Sequence, residues 1–464
     1  MTLTEKIVQS IFSIQYENIS PLAIKTAHFT ILDSVGNALA ASQTNIGQKI
    51  INLSKGEENG SSTIWGSDRS SSLLTSVFVN ACLAQLLDFD DTQEINTFAV
   101  GHPGPAIIPI SLTVGERLKS EGRELLRAIV LGYDVCMRFS LAIEPRDASH
   151  FGFSGSQILG AVTAASILSG LNEKETVNAI GLAVSTSSPG NTKGMWSLDE
   201  RPMSWIKDGV GFVAMIALRC VQLAKEGFVA TRRGLDPKDE YYKLCGSLNY
   251  KPLKLLDEFG KHFLIEDISF KPYPTCRYIQ STLDAIAKLV EENNLDWEDV
   301  AKVQIFTTPF LAHDFDIKEP KTFIDAEFSL PYAVEKVISK VTPSPSWYAS
   351  SQFEDASFKE RVNRIELIGD NSIEELRVEK NILRPRIKMF LCNGEVLSSE
   401  GEFARGNPRN PFQRSDHERK FEQNLKSCFF NEKKIQRLKK LILEIGKVQD
   451  VGEIASKCKL SELK

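Results

Sequence analysis

Along the first 265 residues the apolar positions recur at intervals of three and four, the spacing that lines one face of an α-helix. "SPLAIKTAHFTILDSVGNALAAS" (20–42) follows this pattern and stops at small residues. "SSLLTSVFVNACLAQLLDFDD" (71–91) repeats it, with Leu74, Phe78, Ala81 and Leu86 as inward candidates. "EGRELLRAIVLGYDVCMRFSLAI" (121–143) and "GFSGSQILGAVTAASILSGL" (152–171) are richer in small and apolar residues, which predicts deeply buried helices. "LNEKETVNAIGLAVS" (171–185) opens with Asn172 and Glu175, spaced as a capping box, and "DGVGFVAMIALRCVQLAKEGF" (208–228) predicts a further long helix. Helix after helix with no strands between them predicts a large all-helical domain over residues 1–265.

Near residue 266 the pattern changes. One helical stretch, "IQSTLDAIAKLVEENN" (279–294), precedes the β-rich pieces "VAKVQIFTTP", "NRIELIG" and "RPRIKMFLCNGEVLSSE". The last carries Asn393-Gly394 between apolar runs, a hairpin signal because both residues tolerate a positive φ. Residues 266–402 therefore read as a smaller α/β domain. After the loop "GEFARGNPRNPF" the helical period returns through "KKIQRLKKLILEIGK", so residues 403–464 are expected to rejoin the helical domain. The fold class is mainly α, a large helical domain with an α/β lid.

Length agrees with two units, since 464 residues exceed the roughly 250–300 at which a single core stops growing. With 42% hydrophobic and 25% charged residues the composition is that of a globular protein. A net charge of −5 argues against a nucleic-acid or anionic-membrane partner, which would need a dense basic surface. The longest uncharged stretch of apolar character, "ILGAVTAASILSGL" (158–171), falls short of the roughly 18–20 residues of a membrane span, and the first residues carry Glu5 and Lys6 and lack an apolar signal core. None of the eight cysteines forms a CxxC pair or lies at zinc-ligand spacing from a histidine, so they read as reduced, mostly buried thiols of a cytoplasmic protein.

Candidate chemistry gathers in "LLDFDDTQEINTFAVGHPG" (86–104). If the preceding helix continues, Asp88 and Thr92 share a face and Asp90 and Asp91 point elsewhere, to solvent or a helix end. Acids at a helix C-terminus oppose the local dipole, so Asp88 is expected to have another partner and a functional role. "DDTQE" also fits the first magnesium motif of terpenoid cyclases, but the second motif they require is not found. Only six histidines occur. Pro103 holds His102 in a restrained loop. His150 precedes the buried helix whose Ser-Gly-Ser start can hold an anion. His28, mid-helix, and His417, in a charged stretch, default to structural roles. Among cations, Lys207 follows Trp205 by two, and Lys271 and Arg277 fall at the proposed domain junction, where a fixed charge can bind a carboxylate.

Taken together, "LDSVGNALA", "LLDFDDT…GHPGPAIIP", "GRELLRAIVLGYDV", "HFGFSGSQILGAVTAASILSGL", "FKPYPTCR", "DAEFSLPYAV" and "GNPRNPF" resemble, in order and spacing, the MmgE/PrpD family. That family includes 2-methylcitrate dehydratase, cis-aconitate decarboxylase and iminodisuccinate epimerase. The resemblance runs nearly end to end and implies a helical domain with an α/β lid, usually as a homodimer. It maps an active site onto Asp88, Thr92, His102, His150, Lys207, Lys271 and Tyr332. At "MSWIKD" Ile206 looks inserted, so Arg201 competes with Lys207. Gln93 and Gln280 stand where many relatives carry histidine, a departure expected to change which substrate fits.

The family's reactions share a carbanion or enolate-like species, stabilised by fixed cations and hydrogen-bond donors. The resemblance implies that Lys271, Arg277 and Lys207 or Arg201 neutralise substrate carboxylates and that His102 moves the proton. Asp88 would orient a base or act as one, Thr92 would bind a carboxylate, and Tyr332 would donate from the lid. No metal or organic cofactor is called for. The expectation is a cofactor-independent lyase for a small di- or tricarboxylic acid, of the dehydratase type. A decarboxylase or an epimerase is the runner-up. A carboxylate-binding protein without turnover and a magnesium-dependent terpenoid cyclase are the remoter alternatives.

Overall fold

Ser20 accepts a hydrogen bond from the Ala23 amide and Pro21 pre-sets the first helical φ, so the long helix α2 (Pro21–Ser42) starts there, after α1 (Leu3–Ser13). A computed structural model describes residues 1–57, 60–145, 152–187, 202, 209–348 and 356–464. In chain order the other helices that build the body are α3 (Leu73–Gln85), α4 (Gly104–Leu118), α5 (Gly122–Ile143), α6 (Ser154–Leu168), α7 (Glu173–Thr186) and α8 (Val210–Lys225). Every residue of α6 is buried, as its small, apolar composition predicts. It lies tight against α4 and α5: a Cβ on Gly160 would sit 2.7 Å from the Gly132 carbonyl and 2.6 Å from Ile107. Asn172 and Glu175 form the expected capping box.

The all-helical reading of this part of the chain is corrected at two places: Ser62–Thr63 pairs antiparallel with Ser70–Ser71, and a second, larger sheet follows. Thr92–Ile95 (β1) and Phe98–Gly101 (β2) form an antiparallel hairpin, and β3 (Ile268–Ser269) adds to its other edge in the order β2-β1-β3. Strands of four and two residues are too short to leave a periodic signal. Their register places Thr92 opposite Ser269 and Gln93 opposite Ile268.

The smaller unit is a four-stranded sheet in the order β5-β4-β6-β7, with β4 (Val300–Thr307) parallel to β5 (Ile365–Gly369) and antiparallel to β6 (Arg386–Leu391). β6 and β7 (Val396–Glu400) form the hairpin expected at Asn393-Gly394, where Gly394 takes φ 90°. Helices α9 (Gln280–Glu292) and α10 (Leu330–Ile338) lie together beside it. The chain then continues through α11 (Arg414–Lys426) and α12 (Glu432–Leu443), both lying against α2.

None of the eight cysteines is in a disulfide, and six are buried. Among the described residues no helix is long and apolar enough to cross a membrane.

Candidate active site

Helix α3 stops at Gln85, and the chain then turns through Asp88, whose φ of 43° lies in the left-handed region. Asp tolerates that region better than most residues, and the turn ends the helix before the acids begin. The expectation that Asp88 and Thr92 share a helical face is therefore corrected: Asp88 sits in the turn and Thr92 opens β1. The placement of Asp90 and Asp91 toward solvent is corrected as well, since each is only 2% exposed.

Buried carboxylates need donors, and each of the three acids has them, Asp88 and Asp90 sharing Lys271. Lys271 Nζ lies 2.7 Å from Asp88 Oδ1, 2.8 Å from the Asp88 carbonyl and 3.5 Å from Asp90 Oδ1. The β3–β1 pairing brings it there: Ser269 opposes Thr92, and Lys271 follows two residues later. Asp91 accepts from the Gly104 amide at 2.9 Å and from the Tyr133 hydroxyl at 2.5 Å. Glycine is required at the start of α4, because a Cβ there would lie 2.5 Å from Asp91 Oδ1. Burial pushes the Asp91 carboxyl up to about 8, reinforced by Asp33 and Asp90 and opposed by the Tyr133 and Gly104 bonds.

His102 Nδ1 faces Asp90 Oδ2 at 2.8 Å, the Asp91 carbonyl at 3.1 Å and Thr92 Oγ1 at 3.4 Å. A carboxylate and a carbonyl can only accept, which assigns the proton of the neutral ring to Nδ1 and leaves Nε2 as the basic nitrogen. The start of α6 abuts this residue. Gln157 donates to the His102 carbonyl at 2.7 Å, and the Phe153 ring meets the imidazole edge-on at 5.1 Å. The positive end of a fully buried helix thus lies beside the imidazole.

The other expected residues are placed as follows. Arg277 binds Glu94 Oε2 at 2.8 Å and the Phe270 carbonyl at 3.1 Å. Tyr332, at the start of α10, is buried against Phe358 at 5.5 Å and Tyr348 at 6.5 Å, and Lys336 lies 4.9 Å from its ring centroid. Burial raises the Tyr332 hydroxyl, with the Glu335 charge adding to it, so the phenol keeps its proton. Burial raises the Tyr348 hydroxyl, with Glu327, Tyr332 and Asp88 adding to it. Gln93 donates to the Met137 carbonyl at 2.9 Å. Gln280 donates to the Tyr273 and Thr275 carbonyls at 3.0 and 2.9 Å, stapling the turn after Lys271. His150, Lys207 and Arg201 lie outside the described residues.

The acids of "DDTQE" face different donor sets: Asp90 the His102–Lys271 pair, Asp91 the Tyr133–Gly104 pair, and Glu94 the Arg277, Asn407 and Ser269 side chains. They do not converge as ligands of one ion would. Among the described residues the cavities include a groove of about 1030 Å³ between α9 and β6–β7 and another of about 640 Å³ between α12 and the Tyr16–His28 region. Neither is lined by Asp88, His102 or Lys271.

Sequence reasoning missed Asp33, Tyr133 and Lys420, which lie behind the acidic turn. Lys420 Nζ lies 2.6 Å from both Asp33 Oδ1 and the Phe89 carbonyl. Within "RSDHERKFEQN" this lysine is one charge among many, and only a partner 331 residues away marks it out.

Two family models match the chain: MmgE/PrpD N-terminal domain over residues 5–252 and MmgE/PrpD C-terminal domain over residues 273–444. Among curated proteins, cis-aconitate decarboxylase of Mus musculus is 24% identical over 479 residues, covering 97% of this chain and 92% of the mouse protein.

Proposed function

The chain belongs to the MmgE/PrpD family, and from that premise we propose that it is a cofactor-independent lyase acting on a small di- or tricarboxylic acid. A lyase-type activity is what the family and the decarboxylase relative support in common. The observation that carries the proposal is one buried carboxylate, Asp90, joining an imidazole to a lysine. The reaction needs a proton moved at a carbon beside a carboxylate, with the negative charge held while the bond changes.

His102 Nε2 is the group for the proton, since Asp90 fixes the opposite nitrogen and steadies the ring once charged. Lys271 and the start of α6 supply positive potential for an anionic substrate and its carbanion. In dehydration, Nε2 takes the carbon-bound proton, the electron pair forms the double bond, and hydroxide leaves with a proton from a second donor. Tyr332 keeps its phenolic proton and is the candidate for that second role.

A second reading is favoured by the end-to-end likeness to the mouse decarboxylase. There His102 would have to start as imidazolium: the carbon–carbon bond breaks, carbon dioxide leaves with the bond's electrons left on carbon, and the Nε2 proton passes to that carbanion, leaving the neutral ring. Epimerisation would use the same groups, with the proton lost from one face and regained on the other. The active form is proposed, on the family resemblance, to be a homodimer, which light scattering checks against the 51.7 kDa chain mass.

One experiment separates these reactions. Candidate acids are incubated with enzyme in D₂O and followed by NMR. Loss of water, loss of carbon dioxide, or deuterium exchange with inversion each names a reaction. A raised melting temperature with no conversion of any acid would replace the lyase with a carboxylate-binding protein.

A further inference from the structure

Phe89 sits between the acid that binds Lys271 and the acid that binds His102, so the orientation of its peptide sets where both carboxylates point. Two side chains from separate helices hold that carbonyl. Lys420 of α11 donates to it at 2.6 Å and Asn37 of α2 at 3.0 Å. The ammonium also lies 3.8 Å from the Phe89 ring centroid. Asn424, one turn along α11, donates to Asn37 Oδ1 at 3.0 Å, and Asp33 binds Lys420 at 2.6 Å. The clamp is therefore braced at each end.

We propose that Lys420, with Asn37, is a positioning residue of the candidate active site, holding the Phe89 carbonyl so that Asp90 meets His102 Nδ1. This rests on the lyase reading for its catalytic meaning but not for its geometry.

A purely structural role is the competing account. A buried ion pair is a poor source of stability, because desolvating two charges offsets most of their attraction. Here burial raises Asp33 and lowers Lys420, each opposed by its partner, so the pair works against its own surroundings. Both members also lie in the field of Asp90 and Lys271. Among the described residues, the charged and titratable groups at His102 and the turn beside it include Asp88, Asp90 and Asp91 of the turn, Lys271 after β3, Tyr133 of α5, Asp33 of α2 and Lys420 of α11. Of these, only Lys420 bonds the turn's backbone from the C-terminal helices.

The test uses the full chain labelled at histidine, with the His102 resonance assigned by its loss in His102→Gln. The double variant Asp33→Asn/Lys420→Met removes both charges together and leaves no unpaired ion, while Asn37→Ser removes only the second donor. If the clamp positions Asp90, imidazolium loses part of its carboxylate partner. The His102 titration midpoint should then fall by about half a pH unit or more in the double variant and move the same way, by less, in Asn37→Ser. With an acid that the wild type converts, kcat should drop about tenfold while KM stays within about twofold, and Lys420→Arg should recover part of the loss. His102 titrations that superimpose on the wild type in both variants overturn the proposal. If the double variant does not fold, Asn37→Ser alone decides on the same criterion. Should the wild type convert nothing, the lyase reading fails while the titration still decides the clamp.

Discussion

Asp90 Oδ2 lies 2.8 Å from His102 Nδ1, and both side chains are 2% exposed. Its other oxygen is 3.5 Å from Lys271 Nζ. An asparagine at this position can serve only one neighbour. With its oxygen on Nδ1, its amide group meets the Lys271 ammonium; turned around, it meets the Nδ1 proton. Asp90→Asn should lower turnover by on the order of a hundredfold, as should His102→Ala, because the proton-transfer group loses its fixed tautomer or is absent. Near-normal rates in either variant would remove that residue from the mechanism.

Lys271 is fully buried, and its ammonium is the cation shared by Asp88 and Asp90. Lys271→Met leaves buried carboxylates without that cation, a change that typically costs about 3–5 kcal/mol. Urea denaturation should show a loss of that order. A loss under about 1 kcal/mol would mean that water reaches the acids and screens them.

Asp91 gives the molecule a pH dependence of definite sign. Its carboxyl keeps its proton in the folded protein up to about 8, whereas the unfolded chain releases it near the ordinary 3.8. Between those values the native state holds more protons, so stability falls as pH rises, by up to about 1.4 kcal/mol per pH unit. Asp91→Asn cannot ionise and should flatten that slope. Its stability relative to wild type, from melts at about pH 6 and pH 8, should increase with pH. A constant difference would show that Asp91 does not titrate in this range.

His417 works in the opposite direction. It stacks on Phe29 at 4.1 Å and meets Phe270 edge-on at 4.4 Å. Burial pushes its pKa down to about 3, with Lys420 adding to the effect. The unfolded chain takes up a proton near 6.5, so stability is lost as pH falls from there toward 3. His417→Phe keeps a ring against Phe29 and should unfold less readily at about pH 5. Between 6.5 and about 8 only Asp91 of the two groups acts, so the two variants can be read separately.

The elements that could be read from sequence are those with a long or local signal. The period of α2, α3 and α6, the Asn172–Glu175 box and the Asn393-Gly394 hairpin all follow from residues within a few positions of each other. The hairpin at Thr92–Gly101 could not be read, because four-residue strands offer too few alternations. The site was half legible. "DFDD", "GHP" and "FKP" announced unusual residues, but their pairing depends on a left-handed turn at Asp88 and on β3 adding to β1. Asp90 was misplaced because the helix was extended through a turn that only the backbone conformation reveals. Lys420 was invisible, since nothing near it in the chain distinguishes a buried clamp from a solvated lysine.

The bond from Lys420 to the Phe89 carbonyl joins residues 331 positions apart. On the ribosome the acidic turn therefore emerges long before the helix that braces it. At synthesis rates of about 5–20 residues per second, that interval is roughly 15–65 seconds. Through it, the face of α2 bearing Asp33 and Asn37 waits for its partner, so a nascent chain halted before α11 is the form that chaperones should find.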